Sequence, residues 1–528
     1  MNEIIITDAS AIFTEKLTLD KTIIKGESFY FGKIEKDFEP IENERYNLRC
    51  NRILKYLVDK LDLTNFKRDE IGIVIGTTNS GVQEYETTKN KHQAELGNPA
   101  EFLKWYLNTN NFATSVSTAC TSGAKAFSTA IKLLQNGICK AVIAGGIDTL
   151  ASVPSYGFNA LEVLSKEKIN PFSKNRKGIN IGEGGALFVL TQKANKFENN
   201  NQTDTPEIQI LGIGETSDAY NAATPEPEGI QAIKAIKKAL DNANLTPEDI
   251  DYINLHGTGT VANDLMEANA IYKVFQNKVP TSSTKPVTGH CLGAAASVEA
   301  FICYEILKGK RELPIHQFDG EYDTTLPHIN LVNENTKLKN INICISNSFG
   351  FGGTNAVVIL GKKPAKNSID YTNGFVSAES CLPHSNPMAL IDKIISVDMN
   401  EQIVKTSVKI NENKIFFNKE IDGISPLVGI EFMAQTIGCY AYYKAGKTIP
   451  KIGFLLGARM YENSLDKFEN QKTYIITAKE VYGDNELVSF ECLIYNEGED
   501  NDLGKYVAKA TINAFQPQDV EKYIKELG

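Results

Sequence analysis

A short stretch of small residues around one cysteine, residues 114–123, constrains this chain more than any other part of its sequence. The residues before it alternate as in a β-strand, and apolar residues recur at helical spacing from Ala124 to Leu134. The pattern predicts a strand, a tight turn and a helix, with Cys120 at the helix N-terminus. Unpaired N–H groups and the helix dipole favour a thiolate there, so Cys120 is a candidate nucleophile. The alternative is a buried structural cysteine.

Length and charge exclude several classes of protein. A chain of 528 residues is too long for one core and predicts two to four domains. The net charge is −10 and the lysines are dispersed among acids, which argues against a nucleic-acid partner. The sequence contains no run of about 18 apolar residues, so we expect no membrane span. The N-terminus lacks a signal-peptide pattern, and nine scattered cysteines without a CxxC pair favour a reducing compartment. We therefore expect a cytoplasmic protein without a zinc site.

Two of the six histidines stand beside glycines at predicted strand–loop–helix junctions, where catalytic groups are often displayed. His256 opens the sequence HGTGT, and His290 closes KPVTGH. Either histidine alone is more typical of a structural role, but together with Cys120 they predict a catalytic site. A glycine-rich turn follows at residues 347–355, and it can aim backbone N–H groups at a developing oxyanion or be a plain turn.

These motifs resemble those of the elongating β-ketoacyl-ACP synthases, in order and spacing, over about residues 1–362. The resemblance rests on Thr118-Ala119-Cys120, on residues 256–260 and 285–290, and on residues 347–355. It implies an α/β thiolase fold of two similar halves, each with a five-stranded mixed sheet layered with helices. The restart of strand and helix patterns after residue 206 is compatible with such a duplication.

The resemblance also implies roles for the site residues. Cys120 would take the acyl group from a carrier thioester, and His256 and His290 would stabilise the enolate oxygen formed by decarboxylation of a malonyl thioester. Lys285 would orient the site of the second histidine, with Glu299 as its partner.

Further expectations concern the substrate carrier and the partners. The backbone N–H groups of Cys120 and Phe351 would form an oxyanion hole, and the Phe351 ring would act as a gate. Thr258 and Thr260 would bind the 4′-phosphopantetheine arm of an acyl carrier protein, and no permanently bound cofactor or metal is implied. The chain would form a homodimer, or a heterodimer with a chain-length-factor-like subunit that lacks the cysteine.

The C-terminal part follows a polar linker, residues 363–379, and we place the second domain at 380–528. A helix from about residue 426, apolar nearly all round, carries a single carboxylate, Glu431, and antiparallel strand patterns surround it. One buried helix wrapped by an antiparallel sheet is the α+β hot-dog arrangement. His384 is the only histidine after residue 330, and together the two residues could supply an acid and a base for loss of water.

The motifs at residues 382–388 around His384, 429–435 around Glu431 and 453–459 are similar to those of hot-dog 3-hydroxyacyl-ACP dehydratases, and most to those of aryl-polyene pigment clusters. The resemblance covers about residues 380–515. The usual dehydratase histidine would fall near Phe416 or Phe417 here. Either His384 serves instead, or the domain is an assembly module without catalysis. We therefore expect a condensing enzyme with a fused dehydratase for polyene, polyketide or fatty-acid-type synthesis. The alternatives are a condensing enzyme with a non-catalytic second domain, and a structural partner of another ketosynthase.

Overall fold

The computed structural model describes residues 3–193, 207–243, 245–338, 340–362, 376–377, 381–384, 387–399, 401–445, 453–483, 487–498, 505–515 and 517. The chain divides into two compact units, Met1–Pro364 and Ala365–Gly528. The predicted linker lies outside the described residues except for Val376–Ser377. The domain boundaries proposed from the sequence stay a prediction.

The first unit contains twelve strands and nine α-helices within the described residues. The strands are β1 Ile4–Phe13, β2 Thr18–Asp20, β3 Phe29–Phe31, β4 Ile71–Gly76, β5 Ala113–Val116, β6 Ala141–Asp148, β7 Gly184–Gln192, β8 Ile208–Ser217, β9 Tyr252–Asn254, β10 Thr281–Ser282, β11 Ile343–Gly350 and β12 Thr354–Lys362. The helices are α1 Arg49–Val58, α2 Val82–Thr88, α3 Asn98–Leu107, α4 Ser122–Gln135, α5 Ser152–Ala160, α6 Ile230–Ala243, α7 Val261–Phe275, α8 Lys285–Thr288 and α9 Ala295–Leu307.

Ten of these strands form one mixed sheet in the order β10-β9-β11-β12-β8-β1-β7-β6-β4-β5. Each half of the sheet has three parallel strands at its outer end and two antiparallel strands towards the middle. The halves join where Ile4–Ile6 pair with Ile208–Ile210. This is the predicted thiolase arrangement of two similar five-stranded halves, and the structure adds that their edges are hydrogen-bonded to each other.

Two helices that follow site motifs, α4 and α9, pack against each other. Gly123 allows this approach, because a Cβ at that position would lie 3.0 Å from the backbone nitrogen of Ser297 and in collision with its hydroxyl. The contact places the N-terminal ends of the two helices side by side. Cys120 precedes one of these helices and His290 precedes the other, so the packing of small residues brings the two motifs together.

The described residues of the second unit form one α-helix on an antiparallel sheet. Its elements are β13 Val376–Ser377, β14 Lys393–Asp398, β15 Ile403–Lys409, β16 Phe417–Asn418, β17 Gly423–Ile424, α10 Gly429–Lys444, β18 Phe454–Asn463, β19 Phe468–Glu469, β20 Thr473–Gly483, β21 Leu487–Asn496 and β22 Ala508–Phe515. The seven-stranded sheet has the order β13-β14-β15-β20-β21-β22-β18, and β16, β17 and β19 form a small second sheet.

Helix α10 is buried against this sheet, as its nearly uniform apolar character predicted. Phe432, Met433 and Tyr440 lie in one cluster with Val404 and Ile476. Strand β18 was not predicted, because it lies at the sheet edge and exposes adjacent apolar residues, so that its sequence lacks alternation. Among the described residues, no helix has the length and apolar character needed to cross a bilayer.

Candidate active site

Cys120 lies at the predicted turn between a strand and a helix. Strand β5 ends at Val116 and α4 begins at Ser122, and Ala119 adopts a positive φ of 54° to make the turn. Cys120 is 7% exposed and lines a cavity. Its Sγ lies 3.1 Å from Nε2 of His290, which is 170 residues later in the chain.

The protonation of Cys120 differs from the sequence prediction. Burial raises the pKa of the thiol to about 11, although the positive charge of Lys285 and the backbone N–H groups of Phe351 and Cys120 act in the opposite direction. The predicted preference for a thiolate is therefore wrong for the resting site. The helix N-terminus and the nearby cation do not offset the removal of the sulfur from water. The sulfur is a thiol that must lose its proton during reaction.

His290 is fixed through its backbone and through one ring nitrogen. Its N–H donates to the Asn180 carbonyl, and its carbonyl accepts from the Gly182 N–H. The ring Nδ1 accepts a hydrogen bond from the Leu292 N–H at 3.2 Å, so we assign the proton of the neutral ring to Nε2, which points at Cys120. Burial, together with the charge of Lys285, holds the pKa of His290 well below its usual value. The ring is a neutral hydrogen-bond donor.

His256, in the loop that follows β9, faces the same point, with its ring centroid 5.3 Å from that of His290. Its Nδ1 lies 3.3 Å from Nζ of Lys285, so its Nε2 also carries the proton of the neutral ring. Burial and the charge of Lys285 lower the pKa of His256 well below its usual value. Lys285 contacts Glu299 at 2.5 Å, as predicted. It hydrogen-bonds to His256 rather than to the predicted second histidine, His290.

A carboxylate that the sequence analysis missed, Glu267 on α7, holds the His256 loop. Its oxygens accept the backbone N–H groups of His256 at 2.8 Å and Gly257 at 2.7 Å. Asn347 donates to the same carboxylate from the glycine-rich motif at 3.3 Å. The available signal was an acid on the buried face of a helix that directly follows a motif histidine, since such a group needs partners.

The cavity above Cys120 has a volume of about 300 Å³. Phe351 lines it together with both histidines, and its ring lies 5.7 Å from that of Phe158, centroid to centroid. Thr258 and Thr260 also line it, with their hydroxyls 3.0 Å apart. The sulfur and the two imidazoles lie within 4.8 Å of one another, a set that could hold a metal ion. The structure thus brings all eight predicted residues of the first unit to one cavity or its immediate support.

The predicted residues of the second unit are less closely joined. His384 is exposed, Glu431 is half-buried on α10, and no hydrogen bond joins them in the described part of this unit. Gln435 donates to Glu431 at 2.9 Å and to the Met388 carbonyl at 2.8 Å, and it accepts the Leu390 N–H at 2.8 Å. The segment that follows His384 is therefore attached to the helix one turn from Glu431.

Family models match three parts of the chain. The N-terminal domain of β-ketoacyl synthase matches residues 57–195, and the C-terminal domain of β-ketoacyl synthase matches residues 208–319. The ApeP dehydratase model matches residues 376–525. Among solved structures, the ketosynthase ApeO in complex with its chain length factor ApeC from Xenorhabdus doucetiae is 33% identical. That match has a TM-score of 0.63 and covers 69% of this chain and 98% of that chain.

Relatives known from sequence agree with these models. The 3-oxoacyl-(acyl-carrier-protein) synthase 2 of Coxiella burnetii is 34% identical over 47% of this chain and 61% of its own length. The enzyme of the same name from Synechocystis sp. is 30% identical over 63% of this chain and 87% of its own length. The chain therefore belongs to the β-ketoacyl-ACP synthase family and carries an ApeP-like dehydratase domain of hot-dog fold after its thiolase-fold unit.

Proposed function

We propose that the first unit joins a malonyl unit to an enzyme-bound acyl group by decarboxylative Claisen condensation. The observation that carries this proposal is the convergence of one buried thiol and two neutral imidazoles, with Cys120 Sγ 3.1 Å from His290 Nε2 and the two rings 5.3 Å apart. One nucleophile and two hydrogen-bond donors for a second carbonyl are what this reaction requires.

In the first half-reaction, Cys120 attacks the thioester carbonyl of an acyl carrier protein. The carbonyl oxygen becomes an oxyanion that the backbone N–H groups of Cys120 and Phe351 can stabilise, because both face the sulfur. The carbon–sulfur bond to the carrier then breaks. The released pantetheine thiolate takes up the proton that Cys120 loses, so no net charge stays in the cavity.

In the second half-reaction, a malonyl thioester enters with its carbonyl oxygen between His256 and His290. Both rings donate from Nε2, and their lowered pKa values keep them as neutral donors at pH 7. Loss of carbon dioxide leaves an enolate that these donors stabilise. The enolate carbon attacks the acyl group on Cys120, and the cysteine departs as a thiolate that takes up one proton from solvent to restore the resting thiol.

The substrates would enter on the pantetheine arm of a carrier protein, with Thr258 and Thr260 as hydrogen-bonding partners of that arm. Both residues line the cavity beside His256. The chemistry needs no permanently bound group. The partner of this unit would be a second copy of the chain or a chain-length-factor-like subunit, and the similarity to ApeO, which was solved with its chain length factor, supports the second choice.

The second unit would remove water from a 3-hydroxyacyl thioester after reduction of the condensation product by a separate ketoreductase. Glu431 and His384 are the acid–base pair that we assign to it. Its match to the ApeP dehydratase model supports this reaction, and repeated rounds without reduction of the double bond would yield a polyene.

Intact-protein mass spectrometry tests the first activity. Wild-type protein incubated with acyl carrier proteins of several chain lengths should gain one acyl mass, and Cys120→Ala should gain none. Cys139→Ala is the matched control, because this buried thiol lies outside the cavity. Absence of an adduct on the wild type with every chain length would exclude the condensing role and favour that of a structural partner.

Loss of water tests the second activity in the same format. A 3-hydroxyacyl carrier protein should lose 18 Da with wild-type protein, and Glu431→Gln and His384→Ala should each abolish the loss. If only Glu431→Gln does so, another group replaces His384. If wild-type protein leaves the substrate unchanged, the second unit is an assembly module.

A further inference from the structure

The threonine that follows the glycine-rich turn, Thr354, lies directly behind the reactive cysteine. Its hydroxyl oxygen is 3.0 Å from Oγ1 of Thr121 and 3.1 Å from the carbonyl oxygen of Thr118. Thr118 and Thr121 flank Cys120 in one turn, whereas Thr354 is the first residue of β12, more than 230 residues later. The hydroxyl therefore joins the two turns whose backbone N–H groups face the Cys120 sulfur.

A count of hydroxyl hydrogens indicates that Thr354 donates a hydrogen bond to the turn that carries Cys120. Each threonine has one hydrogen to donate. Thr121 donates its hydrogen to the Thr118 carbonyl at 2.7 Å, and the Thr118 hydroxyl lies 3.0 Å from Oγ1 of Thr121. The hydrogen of Thr354 then goes to the Thr118 carbonyl or to Thr121 Oγ1. Both acceptors belong to the cysteine turn, so either choice holds the two turns together.

The packing between the turns leaves little freedom. Gly350 precedes Phe351, and a Cβ on Gly350 would lie 2.9 Å from the Thr354 hydroxyl and 3.2 Å from the backbone nitrogen of Cys120. Real Cβ atoms rarely approach other atoms so closely. The separation of the Cys120 and Phe351 N–H groups is thus set by a bare glycine and by the Thr354 hydroxyl beside it.

We propose that Thr354 is a positioning residue for the oxyanion hole of the acyl-transfer step. It touches neither the sulfur nor the substrate, but it fixes the distance between the two N–H donors that must receive one oxyanion. A small displacement of such donors removes stabilisation of the transition state without weakening substrate binding. This inference rests on the proposed condensation, and it assigns no role to Thr354 in decarboxylation, which uses His256 and His290.

The test compares Thr354→Val with Thr354→Ser. Valine keeps the shape and loses the hydroxyl, whereas serine keeps the hydroxyl. We expect Thr354→Val to slow acylation of Cys120 by about 10- to 100-fold at saturating acyl carrier protein, with an unchanged KM. Decarboxylation of malonyl carrier protein by the same variant should keep the wild-type rate, and Thr354→Ser should restore acylation. The matched control is Thr129→Val on α4, whose hydroxyl donates only to the Lys125 carbonyl of its own helix.

Three outcomes would overturn the proposal. Thr354→Val could acylate at the wild-type rate, or Thr354→Ser could be as slow as Thr354→Val, which would make the methyl group the relevant contact. Acylation and decarboxylation could also fall together, which would indicate a general disturbance of the unit. Wild-type protein that accepts no acyl group is a different result, because it overturns the proposed condensation itself and this inference with it.

Discussion

Nζ of Lys285 lies 2.5 Å from Oε1 of Glu299 and 3.3 Å from Nδ1 of His256, with all three side chains buried. One cation therefore neutralises a buried acid and also directs the proton of an imidazole towards the reacting carbonyl. Burial raises the pKa of Glu299 to about 7, although Lys285 acts in the opposite direction. The position of the proton on the His256 ring therefore depends on Lys285, which does not itself line the cavity.

We predict that Lys285→Met slows decarboxylation of malonyl carrier protein more than acylation of Cys120. Without the cation, Nδ1 of His256 has no donor and the ring can carry its proton on the wrong nitrogen. The free energy of unfolding should also fall by about 3–5 kcal/mol, because Glu299 loses its buried partner. Rates of the two half-reactions and thermal unfolding check this. Lys310→Met, at an exposed lysine, is the control. Equal loss of both half-reactions would contradict the assignment.

The contact between α4 and α9 gives a second prediction. Gly123→Ala should destabilise the chain by about 1–3 kcal/mol, because the new methyl group collides with Ser297 and separates the helices that follow Cys120 and His290. Gly157→Ala on α5 is the matched control, since no atom of the described residues outside its own stretch of helix lies within 4 Å of its Cβ position. It should be neutral or stabilise by up to about 1 kcal/mol. Thermal unfolding of both variants tests this prediction. An unchanged free energy of unfolding for Gly123→Ala would show that α4 and α9 can separate without loss of stability.

His316 predicts a dependence of stability on pH. Its Nδ1 accepts the Ser283 N–H at 3.1 Å and its Nε2 donates to the Pro171 carbonyl at 3.1 Å, so only the neutral ring satisfies both bonds. Burial lowers its pKa to about 4 from the usual 6.5. In the unfolded chain the His316 ring therefore binds a proton below about pH 6.5, whereas in the folded chain it binds one only below about pH 4. Stability is lost as the pH falls through this window.

Between pH 7 and pH 5 the loss attributable to His316 is about 2 kcal/mol. His316→Gln should show a smaller drop in unfolding temperature between these pH values than the wild type, although it is less stable at pH 7. His92→Gln, at an exposed histidine, is the matched control for removal of an imidazole. If His316→Gln and wild-type protein lose stability in parallel, the ring does not titrate as the structure indicates.

Gln435 gives a prediction for the second unit. Gln435→Ala removes the hydrogen bonds to Glu431, to the Met388 carbonyl and to the Leu390 N–H at once. We expect loss of water from 3-hydroxyacyl carrier protein to slow by at least about 10-fold, because the Glu431 carboxyl is no longer oriented. Acylation of Cys120 should be unchanged. Gln471→Ala, at an exposed position, is the control. Unchanged dehydration by Gln435→Ala would mean that Glu431 needs no orienting partner.

Local patterns predicted the elements that carry the site. The strand, turn and helix around Cys120 follow from alternation, small residues and helical spacing within about 25 residues, and all of them appear in the structure. The uniform apolar character of α10 likewise predicted a buried helix in a hot-dog unit. Strand β18 could not be predicted in this way, because none of its side chains is fully buried, so that no core face imposes an alternation of apolar and polar residues.

The sequence by itself determined which chemical groups this protein has and the order of its motifs, and the resemblance of those motifs to known families indicated the class of each fold. The tertiary structure decided which of these groups are in contact and how they are protonated. It brought Cys120 within 3.1 Å of His290, turned Lys285 towards His256, and placed Glu267 under the His256 loop. It also raised the pKa of Cys120, because the removal of a sulfur from water depends on every segment that covers it. No spacing along the chain encodes that burial.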